Sequence, residues 1–208
     1  MSVEAGYNQW AATYDEVANP TRDLEKVACE VMLQDRAHGA VLELGGGTGK
    51  NTSWVAERCE RLVSADLSRE MQAVARAKVT AANVEFLIGD VRQSWQFGTG
   101  FDLVTCSLIL EHVGDLGHVF NEAAEALKPG GLFYVCELHP FKQYAGSKAR
   151  FDSEGGEKVL ECYRHHVTDY TKAAVAAGFA IEDISEWFDG SDRAGLPRLI
   201  SFLFRNKE

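Results

Sequence analysis

The chain has 208 residues, of which 46% are hydrophobic and 25% charged, and it carries a net charge of −10 at pH 7. This length and composition predict one globular domain, residues 1–208, with a well-buried core. Binding to nucleic acid depends on clustered Lys and Arg, so an acidic chain with no basic run longer than two residues argues against a nucleic-acid partner.

The sequence predicts neither export nor membrane insertion. The first residues lack the basic and apolar regions of a signal peptide, and no apolar run is long enough to cross a bilayer. The five cysteines are scattered and form no Cys-x-x-Cys pair, which is typical of a reducing compartment. We therefore expect a cytoplasmic protein with no membrane partner.

Helical segments alternate with apolar runs along most of the chain. Residues 1–35 predict a helical leader, and the helices are expected over residues 21–35, 50–59, 69–80, 116–127 and 168–177. Strands are expected near residues 40–44, 62–66, 84–88, 101–107 and 131–137, with a turn at residues 127–131 before the fifth strand. This alternation predicts an α/β fold with a doubly wound parallel sheet.

Two later regions depart from the alternation. Residues 138–166 have no strong period, and long excursions of this kind are usually functional or disordered. Because this segment mixes aromatic residues with histidines, we expect a lid or substrate wall. Residues 179–188 and 198–204 are apolar runs joined by a turn-rich segment with no room for a helix, so they should pair antiparallel at the sheet edge.

The glycine cluster after the first strand predicts a nucleotide-binding corner of the Rossmann kind. Gly45, Gly46 and Gly47 follow the apolar run 41–44 directly, and glycines there let the backbone approach a ligand closely. The dinucleotide pattern Gly-x-Gly-x-x-Gly fails because its third position is Lys50. The phosphate-loop pattern fails because Asn51 follows Gly49-Lys50, where Ser or Thr is needed.

Acidic residues around this corner suggest which ligand it binds. Glu43 would repel a pyrophosphate but suits a nucleoside with a cationic amino group, such as S-adenosylmethionine. Asp66 ends the second strand about twenty residues beyond the glycines, where an acid takes ribose hydroxyls. That spacing alone does not separate NAD from S-adenosylmethionine, whereas Glu43 and the missing third glycine favour the latter. Ser68 is a better helix cap than Asp66, and Asp90 is placed to accept from an adenine amino group.

Five motifs in order resemble a known family. They are Glu-x-Gly-x-Gly-x-Gly at residues 43–49, the acid Asp66, Gly89-Asp90, Leu-Ile-Leu-Glu-His at 108–112 and Leu-Lys-Pro-Gly-Gly at 127–131. Together they are similar to class I S-adenosylmethionine-dependent methyltransferases, in the small-molecule group of the ubiquinone, menaquinone and biotin pathways (methyltransferase type 11). The resemblance implies a Rossmann-like seven-stranded sheet, mostly parallel with its last strand reversed, and helices on both faces.

The resemblance also implies site residues. A leader similar to residues 7–15 folds over the cofactor in this group, and its tyrosine, here Tyr14, borders the methyl donor. Tyr14 could instead be a hydrophobic staple for the first helix, and Arg22 could be a surface charge or pair with the cofactor carboxylate. The residues predicted to bind S-adenosylmethionine are Tyr14, Arg22, Glu43, Gly45, Gly46, Gly47, Asp66, Leu67, Met71, Asp90, Val91, Ser107 and Leu108.

Histidines after the fourth and fifth strands are the candidate catalytic residues. Strand carboxyl ends are where ligands bind in such sheets, so His112 and His139 are predicted as general base or substrate contact. Cys162, His165 and His166 come from one short segment without a fourth partner, so no metal site is predicted. The residues predicted to contact the substrate are Tyr7, His112, His139, Tyr144, Arg150 and His165.

The predicted reaction is transfer of a methyl group from S-adenosylmethionine, by in-line displacement, to an O, N or C atom of a small metabolite. Such a reaction needs alignment and exclusion of water rather than a catalytic triad. Two alternatives are a protein or RNA methyltransferase on the same scaffold, and a non-catalytic S-adenosylmethionine-binding regulatory subunit. A monomer or a homodimer is expected.

Overall fold

The structure of the chain, a computed structural model, describes residues 2–36, 38–147, 149–153, 156–191 and 193–207. The helices are α1 Val3–Trp10, α2 Pro20–Leu33, α3 Lys50–Ala56, α4 Arg69–Lys78, α5 Leu116–Ala126, α6 Pro140–Tyr144 and α7 Val167–Ala176. The strands are β1 Ala40–Leu44, β2 Arg61–Asp66, β3 Val84–Ile88, β4 Phe101–Ser107, β5 Leu127–Leu138, β6 Arg150–Ser153, β7 Gly156–Val159, β8 Phe179–Trp187 and β9 Leu199–Asn206. A 3₁₀ turn spans Leu110–His112.

Seven strands form one sheet in the order β3-β2-β1-β4-β5-β9-β8. The first five pair in parallel, and β9 is antiparallel to both of its neighbours, β5 and β8. The predicted seven-stranded sheet with a reversed last strand is therefore confirmed. The chain leaves β1 on one side for β2 and returns on its other side as β4, which creates a crevice at the carboxyl ends of β1 and β4.

The largest departures from the predicted elements lie between β4 and α7. The expected turn at residues 127–131 is wrong, because β5 already begins at Leu127, which pairs with Phe101. The strand is irregular there, since Gly130 has φ +76° and the register shifts between Phe101 and Leu103. Helix α6 and the β6–β7 hairpin lie in the segment 138–166, where no periodicity revealed them.

Alternating residues of β5 supply the core on both faces of the sheet. Phe133 and Val135 pack beneath α5 and α7, and Tyr134 and Cys136 pack on the opposite face, beneath α2 and α3. On the first face, Phe133 lies among Phe120, Phe179 and Phe204, with ring centroids 5.2, 5.8 and 6.3 Å away. Strands buried on both faces are typical of doubly wound sheets.

We expect Phe133→Ala to lower the free energy of unfolding by about 3–5 kcal/mol, because it leaves a cavity among three buried rings. Urea unfolding followed by circular dichroism measures this. Val175→Ala, at a position 58% exposed, is the control and should change the free energy by no more than about 0.5 kcal/mol. Equal losses in the two variants would contradict this account of the core.

Candidate active site

A cavity opens at the carboxyl ends of β1, β2 and β4, next to α1. All thirteen residues predicted to bind the cofactor line it, and so do Tyr7 and His112. These residues come from six separate parts of the chain, from the leader to the turn after β4. The fold therefore brings together, around one cavity, side chains that the sequence only placed at strand ends.

The glycine corner after β1 forms a wall with no room for side chains. Gly45 and Gly47 have φ values of +70° and +54°, which favour glycine. A Cβ on Gly45 would lie 2.4 Å from a methyl group of Ile109, and one on Gly46 would lie 2.0 Å from Ser64 Oγ. Backbone conformation and close packing against Ile109 and Ser64 therefore require glycine in this corner.

Glu43 is buried at the carboxyl end of β1, and its carboxyl group faces this wall. Oε2 accepts hydrogen bonds from Thr52 Oγ1 at 2.5 Å and from Ser64 Oγ at 2.7 Å. Burial raises the pKa of Glu43 from its ordinary 4.5 to about 7, despite these two donors. A cationic group in the cavity would favour its ionised form.

Asp66 connects the second strand to the glycine corner. Oδ2 accepts from the Gly47 amide at 2.8 Å, and Oδ1 accepts from the Ser68 amide at 2.7 Å. Burial raises the pKa of Asp66. Ser68 is the N-cap of α4, as expected, with its Oγ accepting from the Met71 amide at 3.1 Å. The Asp66 carboxyl group is therefore held by loop amides at the cavity wall.

Sequence reasoning missed a second buried acid at the cavity. Glu25 of α2 lines it, and each of its carboxyl oxygens accepts from Asn51 Nδ2 at 3.0 Å. Burial raises the pKa of Glu25 and lowers that of the nearby Lys50, which also lines the cavity. The available signal was a charged residue in the buried stripe of α2, among Ala28, Cys29 and others.

Arg22 is buried rather than a surface charge, and it holds the segment that follows α1. Its guanidinium donates to the carbonyls of Tyr14 and Val17, the latter at 2.7 Å, and lies 4.0 Å from the centre of the Tyr14 ring. Asp15, in the same segment, accepts from Thr48 Oγ1 at 2.7 Å. These contacts tie the leader to the glycine corner.

Asp90 lines the cavity but already has a cationic partner. Arg92 Nε lies 2.8 Å from Asp90 Oδ1, and Arg92 Nη2 lies 2.7 Å from Oδ2. Burial by itself would raise the pKa of Asp90, but the hydrogen bonds from Arg92 lower it. Arg92 also lines the cavity and was not predicted, although it stands only two positions after Asp90.

Tyr7 and His112 meet at the cavity in a defined hydrogen-bond chain. His112 Nδ1 lies 2.7 Å from the Glu161 carbonyl oxygen, which can only accept, so Nδ1 carries the proton. In the neutral ring, Nε2 is then an acceptor, and the Tyr7 hydroxyl, 3.0 Å away, donates to it. Burial raises the pKa of Tyr7 well above 10, so its phenol is protonated at neutral pH.

Two other predicted substrate residues, His139 and His165, do not line this cavity. His139 is buried behind β5, where its Nδ1 accepts from the Phe141 amide at 3.1 Å and its Nε2 lies 3.2 Å from Glu186 Oε1. Burial lowers the pKa of His139. His165 Nε2 lies 2.7 Å from the Val113 carbonyl oxygen, within donating distance. Their contacts are structural, and their substrate roles stay predictions.

Two more predicted substrate residues, Tyr144 and Arg150, belong to the segment 138–166. Tyr144 is exposed and packs with Phe141 and His166 outside the cavity. Arg150 belongs to β6, but its side chain lies outside the described part of the structure. The Glu161 carbonyl oxygen of this segment contacts His112, which lines the cavity. The lid or substrate wall expected over residues 138–166 stays a prediction.

The described residues offer neither a metal-binding cluster nor a membrane-spanning helix. They contain no group of three or more His, Cys, Asp or Glu side chains arranged to hold a metal ion. Within those same ranges, no helix combines the length and apolar character that a membrane crossing requires.

Comparisons with known proteins show the family of this chain. A family model described as "Methyltransferase domain" matches residues 42–135. The ubiquinone biosynthesis O-methyltransferase of Xanthomonas oryzae pv. oryzae is 30% identical over 176 residues, which cover 80% of this chain and 72% of that protein. The chain belongs to the S-adenosylmethionine-dependent methyltransferases.

Two further proteins show the extent of the similarity. The biotin biosynthesis bifunctional protein BioHC of Cellvibrio japonicus is 27% identical over 138 residues, which cover 66% of this chain and 27% of that larger protein. The solved structure of the DhpI–SAH complex has a TM-score of 0.77 at 23% identity, covering 98% of this chain and 94% of that one. This structural match shows the shared fold.

The buried carboxyl group of Glu43 should make stability depend on pH. The folded methyltransferase keeps a proton on Glu43 up to about pH 7, whereas the unfolded chain loses it near 4.5. The free energy of unfolding should therefore fall as pH rises through this window, by on the order of 3 kcal/mol. Glu43→Gln should remove this part of the slope.

Urea unfolding at pH 5 and pH 8 measures the difference between the two proteins. Glu57→Gln is the control, since the Glu57 side chain is 74% exposed. Parallel pH dependences for the wild type and Glu43→Gln would show that Glu43 titrates normally.

Proposed function

We propose that this methyltransferase transfers the methyl group of S-adenosylmethionine to a hydroxyl oxygen of a small molecule, with His112 as the base. The observation that carries the proposal is the His112 ring, whose Nδ1 proton is directed to Glu161 and whose Nε2 accepts from Tyr7 at the cavity. A hydroxyl group must lose a proton when it is methylated, so a base held in this tautomer supports oxygen as the acceptor atom.

The residues proposed to bind the methyl donor suit a nucleoside that carries a positive charge. The glycine corner presents backbone rather than side chains to the cavity, and Glu43 and Glu25 are buried acids without a salt bridge among the described residues. Glu43 would attract the ammonium group of the donor, and Asp66 would accept from its ribose hydroxyls. When bound, S-adenosylmethionine supplies a methyl group that is already activated by its sulfonium.

The residues on the proposed acceptor side of the cavity, Tyr7 and His112, remove one proton from the hydroxyl group of the acceptor. A hydroxyl group next to Tyr7 can pass its proton to the Tyr7 oxygen while Tyr7 passes its own to His112 Nε2. The resulting imidazolium keeps its Nδ1–H bond to the Glu161 carbonyl. Tyr7 and His112 thereby remove the proton as the oxygen–carbon bond forms, and α1 limits the access of water on that side.

Several observations favour a small molecule over the alternatives. One relative is named for the biosynthesis of ubiquinone and another for that of biotin. The net charge of −10 disfavours RNA. A regulatory role without turnover would give no reason for the Tyr7–His112–Glu161 chain, which occupies the acceptor side of the cavity.

Donor binding can be tested without knowing the acceptor. We expect Glu43→Gln and Asp66→Asn each to weaken binding of S-adenosylmethionine about 10- to 100-fold, because each removes a charge that faces a donor group. Calorimetric titration measures this. The affinity of the wild type should also fall as pH drops below about 7, while Glu43→Gln should lose this part of the dependence.

Glu57→Gln again serves as the matched surface variant and should bind like the wild type. Unchanged affinity in both site variants would mean that the donor binds elsewhere.

The acceptor half can be tested by a screen and by two variants. Protein incubated with methyl-labelled S-adenosylmethionine and pools of small metabolites should give O-methylated products by mass spectrometry. With an acceptor in hand, His112→Asn and Tyr7→Phe should lower kcat by about 10²- to 10⁴-fold and leave donor affinity within a few-fold. The limb of the pH–rate profile that reports the base should be absent in His112→Asn.

His139→Asn, at a position outside the cavity, is the comparison for a merely structural histidine. A labelled methyl group on nitrogen or carbon, or normal turnover by His112→Asn, would overturn the assignment of oxygen and of the base.

A further inference from the structure

Glu137 is a buried acid that the reaction does not use directly. It lies next to the end of β5, only 1% exposed, in a stretch where every residue from Leu132 to Leu138 is buried. It has no salt bridge with any residue the structure describes, and its Oε2 has no hydrogen-bond partner there. Glutamate side chains are almost never fully buried without a partner, so the burial of Glu137 calls for a structural or functional explanation.

Its other oxygen accepts hydrogen bonds from the segment that follows β4. Glu137 Oε1 lies 3.0 Å from the Ile109 amide nitrogen and 2.8 Å from that of Leu110. The preceding amide, that of Leu108, donates to the Cys136 carbonyl at 2.9 Å. Three successive amides after β4 are thus fixed to two successive residues of β5.

The segment held in this way forms part of the cavity wall. Leu108 has φ +56°, a left-handed conformation that residues other than glycine adopt at a cost, so surrounding contacts must hold it. Ile109 packs against Gly45 at the donor corner. The 3₁₀ turn that begins at Leu110 ends at His112, and its first amides have no partner within the turn.

We propose that Glu137 is a positioning residue for methyl transfer. By accepting from the Ile109 and Leu110 amides, it holds the turn so that Leu108 and Ile109 face the donor corner and His112 faces Tyr7. The inference about His112 rests on the proposed function, whereas the effect on the donor corner does not.

A matched isostere is available for the test. Burial, together with the neighbouring Glu111 carboxyl, raises the pKa of Glu137 to about 8, so the group is protonated at pH 7. Glutamine has the same length and an oxygen that accepts from both amides. Leucine has a similar volume but no acceptor, and aspartate keeps the acid but is one methylene shorter.

We expect Glu137→Gln to keep kcat and affinity for S-adenosylhomocysteine within a few-fold of the wild type. Glu137→Leu should lower kcat about 100-fold, since small displacements of catalytic groups have effects of this size, and should weaken S-adenosylhomocysteine about tenfold. Glu137→Asp should have a kcat and an affinity for S-adenosylhomocysteine between those of the glutamine and leucine variants. The amide protons of Ile109 and Leu110 should exchange with solvent faster in the leucine variant, as measured by NMR.

The outcomes separate this inference from the proposed function. The positioning role of Glu137 is overturned if the folded Glu137→Leu variant keeps wild-type exchange rates for the Ile109 and Leu110 amides and wild-type affinity for S-adenosylhomocysteine. If the leucine variant does not fold, equal kcat values for the glutamine and aspartate variants would overturn it as well. Failure of the proposed function appears instead as normal turnover by His112→Asn, and the exchange and affinity measurements on the Glu137 variants do not depend on that result.

Discussion

The site depends on carboxyl groups that are buried at the carboxyl edge of the sheet and must be satisfied without lysine or arginine. Glu43 takes two hydroxyl donors, Asp66 takes two loop amides, and Glu137 takes two amides of the turn after β4. Each acid accepts at least one of these bonds from a segment 19 or more residues away, so satisfying the acids also shapes the loops. The result is a cavity whose wall loops are held in place by hydrogen bonds to buried acids.

The proposed acceptor side of the cavity is assembled from three segments, and the proposed proton transfer needs a group from each of them. Tyr7 comes from α1, His112 from the turn after β4, and the Glu161 carbonyl from the segment between β7 and α7. In the proposed reaction the backbone carbonyl would act as the carboxylate does in a catalytic triad, by selecting the tautomer of the imidazole. Because it is uncharged, it stabilises an imidazolium less than a carboxylate would. Such a base suits an acceptor that is already acidic.

The sequence was sufficient for the sheet and for the donor corner, because both depend on local patterns: apolar runs, a glycine cluster and acids at strand ends. It was insufficient for Glu25 and Glu137, whose partners are set by tertiary packing, and it did not reveal that Arg92 pairs with Asp90 two positions away. His139 illustrates the same limit. Like His112 it follows a strand, yet its ring is hydrogen-bonded to Glu186 and does not line the cavity. Strand ends indicate where ligands bind, but not which side chains turn toward them.

The antiparallel pairing of β5 with β9 has a consequence for synthesis. Glu137 lies opposite Ile200 in this ladder, and the amide of His139 donates to the carbonyl of Arg198. During translation β5 leaves the ribosome well before β9, so this flank of the sheet stays open, with an apolar strand exposed, until the distant segment arrives. Long-range pairing of this kind slows folding and invites aggregation in the interval. Chaperone demand should therefore concentrate on nascent chains that contain β5 but not yet β9.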